Sequence, residues 1–525
     1  MIASSQVSAR TEDGARAAGR GGIAVLGAKV FFLVTGFVQQ PLLRLAVGLN
    51  DFGALAQALA FANTVNNVVV STGTQGVSRV VASSPGREPQ ALRAVFRVHA
   101  VAAFVIAGAM AAAAPLYGRF ERATDVVAPL LVLALVALLY GIYAPLIGYL
   151  NGRRRFGRQA ALDVVFATLR TVGLVAFGHL FVVRGLSGAL GTTIGWVAAA
   201  FVIVPLAFQS IAGDRRALGA SQGAPVISSR AYLTMLLPIA GAQLCTNLLL
   251  QVDIFLLGRF LSDGAAAAGL ADGARRAAVT PWVAVYKECQ TFAFLPYQLL
   301  FSVTLVLFPM LAHVHARGDK EAVRAYVARG ARLAAILAGL LVGVIVAMPE
   351  SMLAFAYGTA DAARGASVLR PMALAQGAFT MLGIATTVLT STGRERMAAL
   401  VTLAAVIAVA CACTLFVPGA SVGAAQLVRS AQATGLALAV TLIVAGAIVH
   451  ARAGVFVPLV TAARVLLAIG LCLVLGFVMP RAGRLATPAV AALVALAYLG
   501  ILVVTGELRA ADLAMIRALG TKRAR

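Results

Sequence analysis

Lys29, Gly36, Gln40 and Arg44 stand seven, four and four residues apart inside the apolar run Gly22–Gly48. That spacing lays them along one stripe of a helix. Ionisable groups are costly among acyl chains, so they mark a partner or a wet path. A stripe ending in cations suits an anion, although Arg44 could also snorkel to an interface. The next run, Ala54–Gly76, carries Gln57, Thr64, Asn67, Ser71 and Gln75 on one face, with Asn63 and Asn66 beside it. Uncharged groups at this spacing either bond neighbouring helices or line a hydrophilic path. Arg170 lies deep in Ala160–Val183. Asp163 precedes it by ~10 Å of helix rise, too far for an easy direct pair.

Acids gather later in the chain. Tyr232–Leu257 holds Gln243, Thr246, Asn247, Gln251 and Asp253. Val283–Ala312 holds Lys287, Glu288, Thr291, Gln298 and Ser302, with Pro296 placed to kink it. Asp253 and Glu288 could carry protons or sodium for coupling, or Lys287 could neutralise either one. Gln426, Arg429 and Ser430 add a further polar patch in Val422–Val449. The candidate substrate path is Lys29, Gln40, Arg44, Asn67, Arg170, Gln251 and Arg429, with Asp253 and Glu288 as candidate ion-coupling acids. Cations early and acids late suit a charged, amphipathic cargo held in a wet, cation-lined chamber between two halves.

The elements that must position these groups follow from composition. Of 525 residues 61% are apolar and 12% charged, and mean hydropathy is +0.93. A soluble domain keeps roughly 25% charged residues to cover its surface. The expected fold is therefore an all-α polytopic membrane protein. Spans of about 20 residues cross a hydrocarbon core ~30 Å thick, and fourteen such runs are legible. They are expected to form two parallel, pseudo-symmetric six-helix lobes plus two C-terminal helices. The divisions are a cytoplasmic tail at 1–21, lobes at 22–212 and 232–449, a helix pair at 455–505 and a cytoplasmic amphipathic tail at 506–525. The lobes rest on an ordered repeat. Gly27-Ala28-Lys29 is echoed by Gly241-Ala242-Gln243, and Leu42-Leu43-Arg44 by Leu256-Leu257-Gly258-Arg259. An even number of helices between copies gives parallel lobes.

The net charge of +24 does not point to nucleic acid, because Lys and Arg cluster in short gaps between the runs. Their bias to one side puts both termini in the cytoplasm. The N-terminal tail has no signal-peptide pattern and is expected to be disordered. No gap exceeds the 25 residues of Gly258–Trp282, so no extramembrane domain is expected. The five Cys lie in apolar runs and read as buried free thiols, with no disulfide and no metal. The five His are scattered, and no acid pair or Ser/His/Asp set appears. An enzyme such as an oligosaccharide ligase or polymerase is therefore disfavoured.

Four strings carry a family resemblance. They are GYLNGRRRFGRQAALD (148–163), LLLQVDIFLLGRF (248–260), LPYQLLFSVTLVLFPMLA (295–312) and AFAYGTADAARGASVLRPMALA (354–375). With the span count they resemble the multidrug/oligosaccharidyl-lipid/polysaccharide (MOP) exporter superfamily, in its polysaccharide transporter (Wzx-type) branch. Asp263–Thr280 looks like an insertion relative to that pattern. The resemblance implies a flippase that moves an undecaprenyl-diphosphate-linked oligosaccharide across the bacterial inner membrane by alternating access, for polysaccharide or O-antigen synthesis. It implies no cofactor, beyond H+ or Na+ coupling. The partners it implies are the lipid-linked oligosaccharide, membrane lipids, a polysaccharide polymerase and glycosyltransferases, with no nucleic acid. A lipid II flippase and a multidrug antiporter of the same superfamily remain alternatives.

Overall fold

The computed structural model describes residues 2–213 and 226–508. Side chains are described throughout these ranges except at 2–26, 299–303 and 305–309. Every regular element among them is helical, and sixteen are α-helices. Among the described residues twelve helices are long and apolar enough to cross a membrane. Of the fourteen expected spans the first two lie within one helix, α1 (Ile2–Ala82), and the eighth, Val283–Ala312, falls across two helices, much of the second in the stretch whose side chains are not described.

Straight, 81 residues would run ~120 Å, far beyond a bilayer. The break comes at Gly48, whose φ of 79° and ψ of 174° suit glycine almost alone. The helix begins at Ile2, so the tail expected to be disordered is helical.

The chain divides into two compact units. The first comprises Met1–Ser262 and Ala271–Ala284, the second Asp263–Leu270 and Val285–Arg525. The first unit therefore ends later than the lobe boundary expected at 212. In it, α2 (Glu88–Phe120) packs on α3 (Val127–Gly152), and α4 (Phe156–Val183) on α5 (Gly188–Ser210). α1 packs against α3, α4 and α6 (Ser229–Leu249). Glycines set the closest approach. A Cβ on Gly195 would lie 2.1 Å from the Gly173 carbonyl oxygen, so α4 and α5 touch backbone to backbone. Leu43, Leu55, Leu130, Leu146 and Tyr149 fill the core between α1 and α3.

α7 (Val252–Ala267) and α8 (Asp272–Ala293) both carry the chain from one unit to the other. The stretch Gly258–Trp282, expected as a long gap with an insertion, is mostly helix. Hydropathy marks where a helix leaves lipid, not where it ends, and this stretch is rich in alanine, the best helix former. The expected seventh span breaks after Leu249. The eighth breaks at Phe294, and Pro296 opens α9 (Leu295–Ala316) instead of bending a continuous helix.

In the second unit α10 (Lys320–Ala347) has 28 residues, well beyond the short ninth span expected from Leu333. α11 (Pro349–Tyr357) and α12 (Thr359–Ser391) follow. α12 packs on α9, α10 and α14 (Ala424–Ala453), and α13 (Glu395–Phe416) lies against α14. The last pair, α15 (Leu459–Val478) and α16 (Thr487–Val504), docks on α10 through Val465, Ala468, Cys472, Val494, Tyr498 and Leu502. The expected amphipathic tail lies almost wholly outside the described residues.

Candidate functional site

α1 and α4 share a polar seam in the first unit. Lys29 Nζ lies 3.2 Å from Asp163 Oδ2. Thr171 Oγ1 donates to Gln39 Oε1 at 3.1 Å. Between these contacts the Arg170 guanidinium sits 4.7 Å from the Phe32 ring and 5.7 Å from the Trp196 ring. Tyr140 completes the cage. Its hydroxyl bonds Arg170 and accepts the Trp196 indole N–H at 2.5 Å. Aromatic faces suit a guanidinium held away from water, and Arg170 Nε is buried without a hydrogen-bond partner. Contacts 29–163, 32–170 and 39–171 advance together along both helices, so α1 and α4 run parallel here.

The two central cations of the expected path are thus held differently. Lys29 is 56% exposed, with Asp163 as its counterion. Arg170 is enclosed by rings. The sequence singles out both residues as candidates, Lys29 by spacing and Arg170 by its depth in an apolar run, but not the aromatic cage, because Phe32, Tyr140 and Trp196 come from three different helices.

Gln40 and Arg44 are half-buried on the same length of α1. Further along, Asn67 Nδ2 donates to Asn247 Oδ1 at 2.9 Å, and Asn247 Nδ2 donates to the Gln243 carbonyl at 2.8 Å. This joins α1 to α6, so Asn67 is both exposed and a helix contact. Beside it, Asn66 is 2% exposed, and neither of its amide atoms has a hydrogen-bond partner. Gln251 is buried at the break between α6 and α7. Asp253 is buried in the first turn of α7, where its Oδ1 accepts the Ile254 N–H at 2.8 Å. An acid is favoured at that end of a helix.

In the second unit Glu288 is fully buried on α8. Lys287 Nζ lies 3.4 Å from Gln290 Oε1 and 5.9 Å from the Phe294 ring. Arg429 is exposed near the start of α14 and donates to the Phe416 carbonyl at 3.4 Å, at the end of α13. Cys245, Cys289, Cys411, Cys413 and Cys472 are free thiols. Cys411, expected to be buried, is exposed, because the run that contains it is a helix with one outward face. No group of three metal-ligating side chains occurs among the described residues.

Two buried glutamates at helix ends escaped the sequence reading. Glu507, just past α16, is 3% exposed. It accepts from Arg332 Nε at 2.7 Å, Thr461 Oγ1 at 2.8 Å and Arg464 Nη1 at 3.1 Å. Burial raises its pKa, but these bonds outweigh that and hold it below the usual value. Glu121, the C-cap of α2, is fully buried, and Gln57 Nε2 donates to its Oε2 at 3.0 Å. Burial pushes this carboxyl up to about 8, against the pull of Arg276, Gln57, Tyr117 and Arg259. Glu121 lies in Arg119-Phe120-Glu121-Arg122, where flanking arginines make it look like ordinary loop charge.

A cavity of about 470 Å³ in the first unit is lined by Leu92, Phe96, Leu146, Phe208 and Ile211, with Arg93 and Arg97 on its wall.

The family model described as Polysaccharide biosynthesis protein matches residues 18–315. No curated protein matches the chain in sequence. Among solved structures, the chain is similar to the lipid II flippase MurJ in an inward closed conformation. That match has 12% identity and a TM-score of 0.70, covering 92% of this chain and 97% of the other. An inward-facing multidrug resistance MATE family transporter of the MOP superfamily matches at 13% identity and TM-score 0.60, over 82% of this chain and 98% of that one. A MOP superfamily transporter from Pyrococcus furiosus matches at 13% identity and TM-score 0.57, over 82% and 96%. These likenesses establish the fold as that of the MOP superfamily.

Proposed function

Because the chain belongs to the polysaccharide biosynthesis protein family, we propose that it is a flippase for a polyprenyl-diphosphate-linked oligosaccharide. The family match carries this reading, and the fold is one that transporters use. The reading is that alternating access moves the lipid-linked sugar across a bacterial inner membrane, with both termini in the cytoplasm. A glycan polymerase and glycosyltransferases would act on the same lipid on either side of the step.

The chemistry of the first unit supports an anionic cargo. A diphosphate needs cations that stay charged in a poorly hydrated setting. A guanidinium caged by Phe32, Tyr140 and Trp196 does so, because arginine holds its proton and tolerates aromatic faces. Lys29 is open enough to exchange Asp163 for a phosphate oxygen. Gln40, Arg44, Asn67, Gln251 and Arg429 complete the proposed path. Asp253 and Glu288 stand as ion-coupling acids.

Replacing Lys29 and Arg170 together by Ala should abolish flipping of a fluorescent polyprenyl-diphosphate disaccharide in proteoliposomes, while the protein still inserts. Unchanged flipping by an inserted double variant would remove the cation argument. A second reading, a lipid II flippase, is favoured by the extent of the likeness to MurJ. Lipid II flipped in the same vesicles, with the disaccharide left in place, would decide for it.

A further inference from the structure

A second charged site lies at the end of α2, away from the α1–α4 seam. The chain turns there with Arg122 at a φ of 51°, and the Ala123 N–H closes on the Gly118 carbonyl at 2.8 Å. This leaves Glu121 as the C-cap, with its carboxyl turned inward. A carboxylate is disfavoured at that position twice over, by burial and by the negative end of the helix dipole.

Five elements meet around it. Gln57 of α1 bridges two charges. Its Nε2 donates to Glu121 Oε2, and its Oε1 accepts from Arg276 Nη2 of α8 at 3.0 Å. Arg276 Nη2 also reaches Asp125 Oδ2 at 2.8 Å, in the turn after α2. The Tyr117 hydroxyl of α2 is shared between the Gln57 carbonyl, at 3.2 Å, and the Glu121 carboxyl. Arg259 Nη1 of α7 donates to the Phe120 carbonyl at 2.6 Å. Gly258 comes so close that a Cβ there would sit 2.2 Å from Glu121 Oε2. α8 is pinned to α1 just beyond, where a Cβ on Gly53 would lie 2.1 Å from the Thr280 carbonyl oxygen.

The hydrogen-bond accounting is incomplete in one complementary way. Glu121 Oε1 is buried with no partner, and so are Arg276 Nε and Nη1. A neutral carboxyl leaves Arg276 to Asp125 and Gln57. An ionised one would draw the idle guanidinium nitrogens towards itself. Buried polar groups are costly to leave unpaired, so the two protonation states favour different positions of α8.

We propose that Glu121 is a proton-binding site whose occupancy sets the position of Arg276 on α8 and, through the Gly258 contact, of α7, the helices that lead from the first unit to the second. The occupant is a proton: among the described residues the anionic oxygens at this cluster are those of Glu121 and the already paired Asp125, and no group of three metal-ligating side chains occurs. This protonation site lies apart from the proposed cargo path and acts whatever the cargo.

The test uses the purified full chain in lipid nanodiscs. Infrared difference spectra taken across neutral to alkaline pH should show one protonated-carboxyl band disappearing with a midpoint near 8. Glu121→Gln should lack that change. Hydrogen exchange in peptides from α7 and α8 should shift with the same midpoint in the parent protein, and should be pH-independent in the variant. Arg276→Gln, which keeps Glu121, should move the midpoint upward, because the cation that favours the ionised form is gone. It also serves if Glu121→Gln fails to fold. An identical band change in Glu121→Gln, or an unmoved midpoint in Arg276→Gln, overturns the proposal.

Discussion

Glu507 and Glu121 are both buried glutamates at helix ends, yet their surroundings drive them in opposite directions. Glu507 receives three donors and is held below the usual carboxylate range. Its folded pKa is depressed, so its contribution to stability is present above the ordinary carboxylate value and is lost as pH falls through the folded one. Thermal unfolding of the purified protein should therefore weaken in mild acid. Glu507→Gln should flatten that acid dependence and cost on the order of 2 kcal/mol at neutral pH. An acid profile unchanged by the substitution would remove Glu507 as its source. Glu121 works with the reverse sign. Its folded pKa is raised to about 8, so the proton it holds favours the folded state below that pH. This contribution declines as pH climbs from the ordinary carboxylate range towards 8.

Among the elements, glycines act in two separate ways. Gly48 is required by its backbone angles alone, since nothing lies within 4 Å of an added Cβ. Gly195 is required by space, with the Gly173 backbone where a side chain would go. Gly48→Ala should cost about 1–3 kcal/mol through strain. Gly195→Ala should force α4 and α5 apart, lowering the thermal midpoint and loosening the Arg170–Trp196 contact. The quenching of Trp196 fluorescence would report that separation. A Gly195→Ala protein with parental unfolding and fluorescence would show that the helices tolerate a wider crossing. The helix pair α15–α16 is tied at both ends. Glu507 fastens one end, and at the other Ala482 N–H donates to Ser351 Oγ at 3.1 Å while Arg481 pairs with Glu350 at 2.8 Å.

For the whole molecule, the bias of Lys and Arg predicts an orientation that labelling can check. In a background without the native cysteines, Leu186→Cys, between α4 and α5, should react with a membrane-impermeant maleimide in intact cells. Ser83→Cys, between α1 and α2, should react only after permeabilisation. The reverse pattern would invert the topology and place the Glu121 cluster on the cytoplasmic face. With the expected orientation that cluster lies on the outer side.

Composition and periodicity alone determined the class of the molecule, most of its spans and the intramembrane positions of Lys29 and Arg170 on two separate runs, because burial in lipid is a local property of each segment. They also end the first apolar run, Gly22–Gly48, at the residue where α1 breaks. What they could not supply is whatever depends on partners far apart in the chain. The pairing of Lys29 with Asp163, the ring cage around Arg170 and the two buried glutamates join residues from separate helices. The helical course of Gly258–Trp282 was hidden for a related reason: helices here outlast the apolar stretches that announce them. Only packing decides which polar groups are compensated, and that selects the ones left free to bind or to change charge.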